Sequence, residues 1–183
     1  NDIVTSAAHI RISPVAGENP ADVTFSYKVS DGTAYSSAAY VKTIDFAAVN
    51  DAPVNTMGTP SAVNEDTANA ITGTSIADSD STSMTSVQIS ADRGTFTIAS
   101  TNGLTFAAGD GTADATMTFG GTVTNINTAI ATITWTSASN DDADATITMV
   151  SNDGSASDTD TMSITVNSVN DAPTSTSFTV TTN

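Results

Sequence analysis

Val49-Asn50-Asp51-Ala52-Pro53 returns 120 residues later as Val169-Asn170-Asp171-Ala172-Pro173. Each copy of this pentapeptide, here called a seam, ends one run of alternating apolar and hydroxyl residues and begins the next. Proline lacks an amide hydrogen and disfavours helix in the residue before it, so each seam is expected to end a strand. The Asn and Asp before the proline place side-chain oxygens at the junction. These oxygens predict either a turn or a metal site.

The 120-residue period predicts a tandem array of repeats. We expect residues 1–49 to be the C-terminal part of a preceding repeat, 50–169 to be one complete repeat, and 170–183 to be the linker and first strand of a following one. Internal similarity supports these boundaries, because Val29-Ser30-Asp31-Gly32 aligns with Ser151-Asn152-Asp153-Gly154. In the same way Ile10-Arg11-Ile12 aligns with Ile133-Thr134-Trp135. The chain is therefore expected to be a segment of a longer protein.

The hydropathy pattern indicates strands throughout. Runs of period two, rich in β-branched residues and bounded by Gly, Asp and Asn at roughly 8–12-residue spacing, are typical of an all-β sandwich. The pattern predicts an extended first strand over 54–63, a return strand over about 68–77, and one helical turn over 124–130 with Asn125 as its cap. Aromatic residues make up only 5% of the chain, so the expected core is thin and the sole tryptophan, Trp135, is predicted to lie in it.

The composition excludes several classes of function. Twenty acidic residues face four basic ones, and the resulting net charge of −16 repels nucleic acid and anionic membranes. The chain has no cysteine, and its single histidine, His9, has no nucleophile at a recognisable spacing. The paired acids Asp141 and Asp142 lack the aromatic-lined cleft that a glycosidase needs, so an enzyme is not expected. Bound cations would offset the charge, although an acidic surface that aids solubility is the simpler alternative.

Strand direction predicts which acidic residues meet. If the first strand runs away from the upstream seam, Glu65 lies at its far end, and the return strand brings Asp78 and Asp80 back beside Asn50 and Asp51. The same alternation places the loop 140–144 at the far end, near the downstream seam. The candidate metal ligands are Asn50, Asp51, Asp78, Asp80, Glu65, Asn170, Asp171, Glu18, Asp22 and Asp142. Calcium takes six to eight oxygen ligands of these kinds. The alternative is that the Asp and Asn residues make Asx turns.

The collinear pieces resemble cadherin-like tandem repeats of large bacterial surface proteins. They are the seam, Asn64-Glu65-Asp66 and Asp78-Ser79-Asp80, together with Asn125-Ile126-Asn127. In animal cadherins the analogous linker, Glu and Asp-x-Asp motif bind calcium between consecutive domains. The resemblance implies a first joint of Asn50, Asp51, Asp78 and Asp80, and a second joint of Glu65, Asn170 and Asp171. The seam lacks the second Asn and the leading Asp of the animal linker, which implies fewer or more loosely bound ions.

The function implied by this resemblance is mechanical. We expect an extracellular, secreted or surface-attached repeat of a bacterial adhesin or surface fibre, stiffened by calcium at its joints. The expected partners are neighbouring repeats of the same chain or other copies arranged head-to-tail, with residues 174–183 as a strand that a neighbour could accept. The alternative is a carbohydrate-binding sandwich module. Its support in the sequence is limited to Tyr35 and Tyr40.

Overall fold

The chain forms two compact units, Asn1–Asp51 and Ala52–Asn183. A computed structural model describes residues 12, 21–58, 60 and 62–173, with the exception of the Thr132 side chain. Glu18, His9, the Ile10–Arg11 segment and residues 174–183 lie outside the described residues.

The first unit contains one antiparallel hairpin among its described residues. Strand β1 (Val23–Tyr27) pairs with β2 (Tyr40–Ile44) in a register that places Val23 opposite Ile44 and Tyr27 opposite Tyr40. A turn at Asp31 lies between these two strands. The Asp31 carboxylate accepts hydrogen bonds from the amides of Thr33 and Ala34, both at 2.9 Å.

The second unit is an all-β sandwich with one short helix. Its strands are β3 (Val54–Thr56), β4 (Val63–Asn64), β5 (Asn69–Thr72), β6 (Ser75–Ala77), β7 (Ser83–Ala91), β8 (Thr95–Thr97), β9 (Leu104–Ala108), β10 (Thr116–Thr122), β11 (Thr132–Thr136), β12 (Ala145–Asn152), β13 (Ser157–Ile164) and β14 (Val166–Asn167). Helix α1 (Val123–Ile130) connects β10 to β11. The all-β fold predicted from period-two patterning is therefore confirmed.

Two sheets enclose the core of this unit. The larger has the order β13-β12-β7-β10-β9, and the smaller has the order β5-β11-β8. The alternation of β12 is typical of a strand with one buried face, because Ala145, Ile147, Met149 and Ser151 are buried while the residues between them are not. Trp135 of β11 is only 1% exposed, as the alternation predicted. Its indole N–H donates to the Arg93 carbonyl at 3.0 Å.

The predicted continuous strand over 54–63 is wrong, because the chain changes partners within it. Strand β3 pairs antiparallel with β6, whereas β4 pairs parallel with β14. Between them Gly58 passes so close to β5 that an added Cβ would overlap the Thr72 carbonyl oxygen. The predicted return strand is likewise divided into β5 and β6.

The helix begins one residue earlier than predicted, and Asn125 is not its cap. Thr122 is the N-cap, with its hydroxyl accepting a hydrogen bond from the Asn125 amide at 3.2 Å. Asn127 has a different role. Its side-chain carbonyl accepts from the Ile76 amide and its NH₂ donates to the Ile76 carbonyl, both at 2.8 Å. This one side chain therefore bonds both polar groups of Ile76 in β6, as a neighbouring strand would.

The hairpin of the first unit has a counterpart of the same register in the second. Val23 opposite Ile44 corresponds to Ala145 opposite Ile164, and the agreement continues along β12 and β13. The turn is also repeated, since the Asp153 carboxylate accepts from two following amides as Asp31 does. The internal similarity read from the sequence is thus reproduced in strand register and turn geometry.

Candidate functional site

The downstream seam is held at the end of β14 by a buried acid. Glu65, only 4% exposed, lies in the turn after β4, and its carboxylate accepts a hydrogen bond from the Val169 amide at 2.9 Å. The Glu65 amide in turn donates to the Asn167 carbonyl at 3.1 Å. The far-end position predicted for Glu65 is therefore observed, directly beside the seam residue that precedes Asn170. One carboxylate oxygen of Glu65, Oε1, is therefore already occupied by a backbone amide.

The loop after β11 lies at this same end of the second unit. The Asp66 carboxylate accepts from the Asn140 amide at 3.0 Å, and the Asp144 carboxylate accepts from the Val166 amide at 3.0 Å. Asp142 is exposed in this loop. Asp141 makes an ion pair with Arg93 at 3.0 Å, and both side chains are partly exposed. The loop 140–144 does lie beside the Glu65 turn, as predicted. The acids that make the hydrogen bonds there are Asp66 and Asp144, and not Asp142.

Asp78 lies at the other end of the unit, beside the first residue of β3. Val54 pairs with Ala77, so Asp78 follows directly after the pair. One oxygen of Asp78, Oδ1, accepts from the amides of Asp80 and Ser81 at 3.0 and 2.7 Å. This is the Asx turn that was the alternative to a metal site. The other oxygen, Oδ2, is buried and has no hydrogen-bond partner among the described residues.

The two seams share a local conformation. The side-chain amide of Asn50 donates to the Asp51 carbonyl at 2.8 Å, and that of Asn170 donates to the Asp171 carbonyl at 3.2 Å. Asn50 and Asp51 belong to the first unit, whereas Asp78 and Asp80 belong to the second. The expected sharing of a joint by these four residues stays a prediction.

Asp22 also has a counterpart in the second unit. Its carboxylate accepts from the Phe46 amide at 3.1 Å, as Asp144 does from Val166. The repeat offset that relates the two hairpins identifies Asp144, which the sequence analysis did not select, as the equivalent of Asp22. Aligning the two hairpins fully would have found it. In both units this aspartate accepts a hydrogen bond from the segment that leads into a seam.

A buried polar network was missed by sequence reasoning. The Asn55 amide donates to the Asp158 carboxylate at 2.7 Å, and the Asn55 side chain accepts from the Ser151 hydroxyl at 2.7 Å. Asn55 is 6% exposed and Ser151 is fully buried. No local motif marks these residues, because 96 or more positions separate the bonded partners. The network holds β3, the first strand after the upstream seam, against β12 and β13.

The side-chain geometry fits a cation only in part. Among residues 12, 21–58, 60 and 62–173, no group of three or more His, Cys, Asp or Glu side chains is close enough to hold a metal ion. The unpartnered Oδ2 of Asp78 is the one feature that fits a metal ligand directly, since a buried carboxylate oxygen without a donor is costly. Among the described residues Asp78 is thus the strongest candidate at the upstream end, and Glu65 is hydrogen-bonded to the downstream seam at Val169.

No protein-family model matches the chain, and no curated protein matches it significantly. In the part of the chain that the structure describes, no helix has both the length and the apolar character needed to cross a membrane.

Proposed function

We propose that the chain is a spacer segment of an extracellular bacterial adhesin or surface fibre, built from tandem cadherin-like sandwich repeats whose joints bind calcium. The observation that carries this proposal is the repetition of one hairpin and one seam. Strand register, the Asp turn, the aspartate before the seam and the Asn–Asp bond within the seam all recur. Repetition of one structural unit is how a chain builds an extended array.

The calcium part of the proposal is supported by the placement of the acids. Glu65 adjoins the downstream seam, and Asp78 lies next to the first strand after the upstream seam with one oxygen unpartnered. The net charge of −16 adds self-repulsion that a divalent cation relieves. Asp80, Asp51 and Asn50 would complete the first joint, and Asn170 and Asp171 would complete the second, together with ligands from the next repeat.

Calorimetric titration and small-angle scattering of the full chain test this part. Calcium should bind, raise the melting temperature and narrow the distribution of distances between the two units, and a chelator should reverse all three. At a calcium concentration 100-fold above Kd the gain in stability is about 2.7 kcal/mol. Asp78→Asn should weaken binding, while Asp110→Asn, which removes an equal charge from the exposed loop after β9, should not. Identical melting and scattering with calcium and with chelator would refute calcium stiffening.

A carbohydrate-binding module is the second candidate. Tyr27, Tyr35 and Tyr40 on the first-unit hairpin are 48%, 74% and 53% exposed, and the rings of Tyr27 and Tyr40 stack with centroids 5.7 Å apart. Exposed aromatic rings are the side chains on which sugars stack. Glycan-array binding that Tyr35→Ala and Tyr40→Ala abolish would establish this function in place of the spacer.

A further inference from the structure

Two paired strands near the ends of the second unit run in the same direction. Strand β4 points away from the upstream seam and is followed by Glu65, whose carboxylate bonds the Val169 amide of the downstream seam. Strand β14 runs into that same seam, and its pairing with β4 is parallel, with Val63 opposite Val166. A pull applied at the two seams therefore draws β4 towards the upstream end of the unit and β14 towards the downstream end.

Three hydrogen bonds join β4 and its following turn to β14 and the seam. The Val63 amide donates to the Thr165 carbonyl at 3.0 Å, and the Glu65 amide donates to the Asn167 carbonyl at 3.1 Å. The third is the bond of the Val169 amide to the Glu65 carboxylate at 2.9 Å. Ladder bonds run across the strands that they join. Sliding one strand past the other therefore strains all three bonds at once.

The pair is also anchored to the rest of the unit. Val63 and Val166 are each 7% exposed and belong to the hydrophobic core. The Val166 amide donates to the Asp144 carboxylate at 3.0 Å, which ties β14 to the loop before β12. Separation of β14 from β4 therefore requires the loss of core packing together with the loss of the hydrogen bonds.

We propose that the β4–β14 pair is a load-bearing clamp that resists tension applied between the two seams. Bonds loaded in shear fail together, whereas bonds loaded from one end of a strand pair fail in succession. The clamp should therefore resist a pull from seam to seam more strongly than a pull that peels β14 away from β4.

The use of such a clamp by the cell rests on the proposed spacer function, but the clamp itself needs neither calcium nor export. Its test is therefore made in buffer that contains a chelator. A clamp that fails this test leaves the calcium titration to be judged separately, and a failed titration leaves the clamp intact.

Single-molecule force spectroscopy of the full chain compares two pulling directions. The chain has no cysteine, so a pair of introduced cysteines fixes the points of attachment. Ala52→Cys with Ala172→Cys attaches the handles at equivalent alanines of the two seams and loads the clamp in shear. Thr67→Cys with Ala172→Cys attaches both handles beyond the same end of the β4–β14 pair and peels it apart. At equal force the sheared chain should stay folded at least about tenfold longer, because several bonds must break in one step.

Single substitutions separate the clamp from ordinary stability. Glu65→Ala removes the bond to the Val169 amide and should shorten the lifetime under shear by about tenfold, whereas Glu65→Gln retains an acceptor and should change it by less than about threefold. The matched control is Asp92→Ala, which removes the acceptor of the Thr146 amide at 2.7 Å, outside the clamp. Asp92→Ala should lower stability in urea but change the lifetime under shear by less than about twofold, because its bond breaks only after the clamp has failed.

Two outcomes would overturn the inference. One is an equal lifetime in both pulling directions. The other is an equal shortening of the lifetime under shear by Glu65→Ala and Asp92→Ala. If Glu65→Ala does not fold, the comparison of pulling directions decides alone, because neither pair of cysteines replaces a residue of the clamp.

Discussion

Removing the Asn127 side chain tests whether it supplies the hydrogen-bond partners of the Ile76 backbone at the edge of β6. Asn127→Ala deletes two hydrogen bonds of 2.8 Å and leaves the amide and carbonyl of Ile76 without their partner. Each unsatisfied buried backbone group costs about 1–3 kcal/mol, and partial access to water places this site at the lower end. Alanine regains about 0.5 kcal/mol through its higher helix propensity. The expected net loss of unfolding free energy is about 2 kcal/mol.

Urea unfolding followed by Trp135 fluorescence measures this loss, because the buried Trp135 reports on the second unit alone. Thr124→Ala on the exposed face of α1 is the matched control and should be neutral or slightly stabilising. Asn127→Asp keeps an acceptor for the Ile76 amide but opposes a carboxylate to the Ile76 carbonyl, so it should destabilise at least as much as alanine. If Asn127→Ala and Thr124→Ala agree within about 0.5 kcal/mol, the edge-capping role is refuted.

Three further measurements follow from single contacts. Glu65→Ala should cost about 1–3 kcal/mol by leaving the Val169 amide without its acceptor, and equal stability of Glu65→Ala and wild type in urea would contradict this. Gly94→Ala should cost about 2 kcal/mol or more, because Gly94 has φ of +74° and an added Cβ would meet the Trp135 ring at 2.8 Å; a shift in Trp135 emission should accompany the loss. The amides after Asp31, that of Ala34 first, lower the pKa of its carboxyl below the usual range. The stabilisation by this carboxylate is therefore fully present at pH values above its ordinary pKa, and it is lost as the pH falls through the lowered pKa. Carboxyl NMR titration should place the pKa of Asp31 below 3.8.

Much of the fold could be read from the sequence because its signals are local. The Ser-Asp-Gly and Asn-Asp-Gly turns fix their hairpins through the Asp carboxylate and a glycine of positive φ, +96° at Gly32 and +110° at Gly154. Strand alternation also predicted the burial of Trp135 and the position of Glu65 beside the downstream seam. These predictions needed only neighbouring residues and the direction of successive strands.

The features that sequence reasoning missed depend on distant partners. The first strand breaks because its two halves pair with β6 and β14, and the local signals of this change between Val54 and Val63 are Gly58 and Pro60. The predicted cap at Asn125 was wrong because Thr122 supplies an equally suitable hydroxyl one turn earlier. The candidate ligands were chosen by charge and loop position, which cannot tell whether a carboxylate binds an ion or a backbone amide.

Both edges of the β3–β6 pair are protected by side chains from elsewhere in the second unit. An exposed edge exposes unpaired amides and carbonyls and invites pairing with another chain. In the second unit a side chain from elsewhere in the chain covers each edge of the β3–β6 pair: Asp158 bonds the Asn55 amide, and Asn127 bonds both groups of Ile76. Side-chain hydrogen bonds at Asn55 and Ile76 therefore block both edges of this pair, which disfavours pairing with another chain.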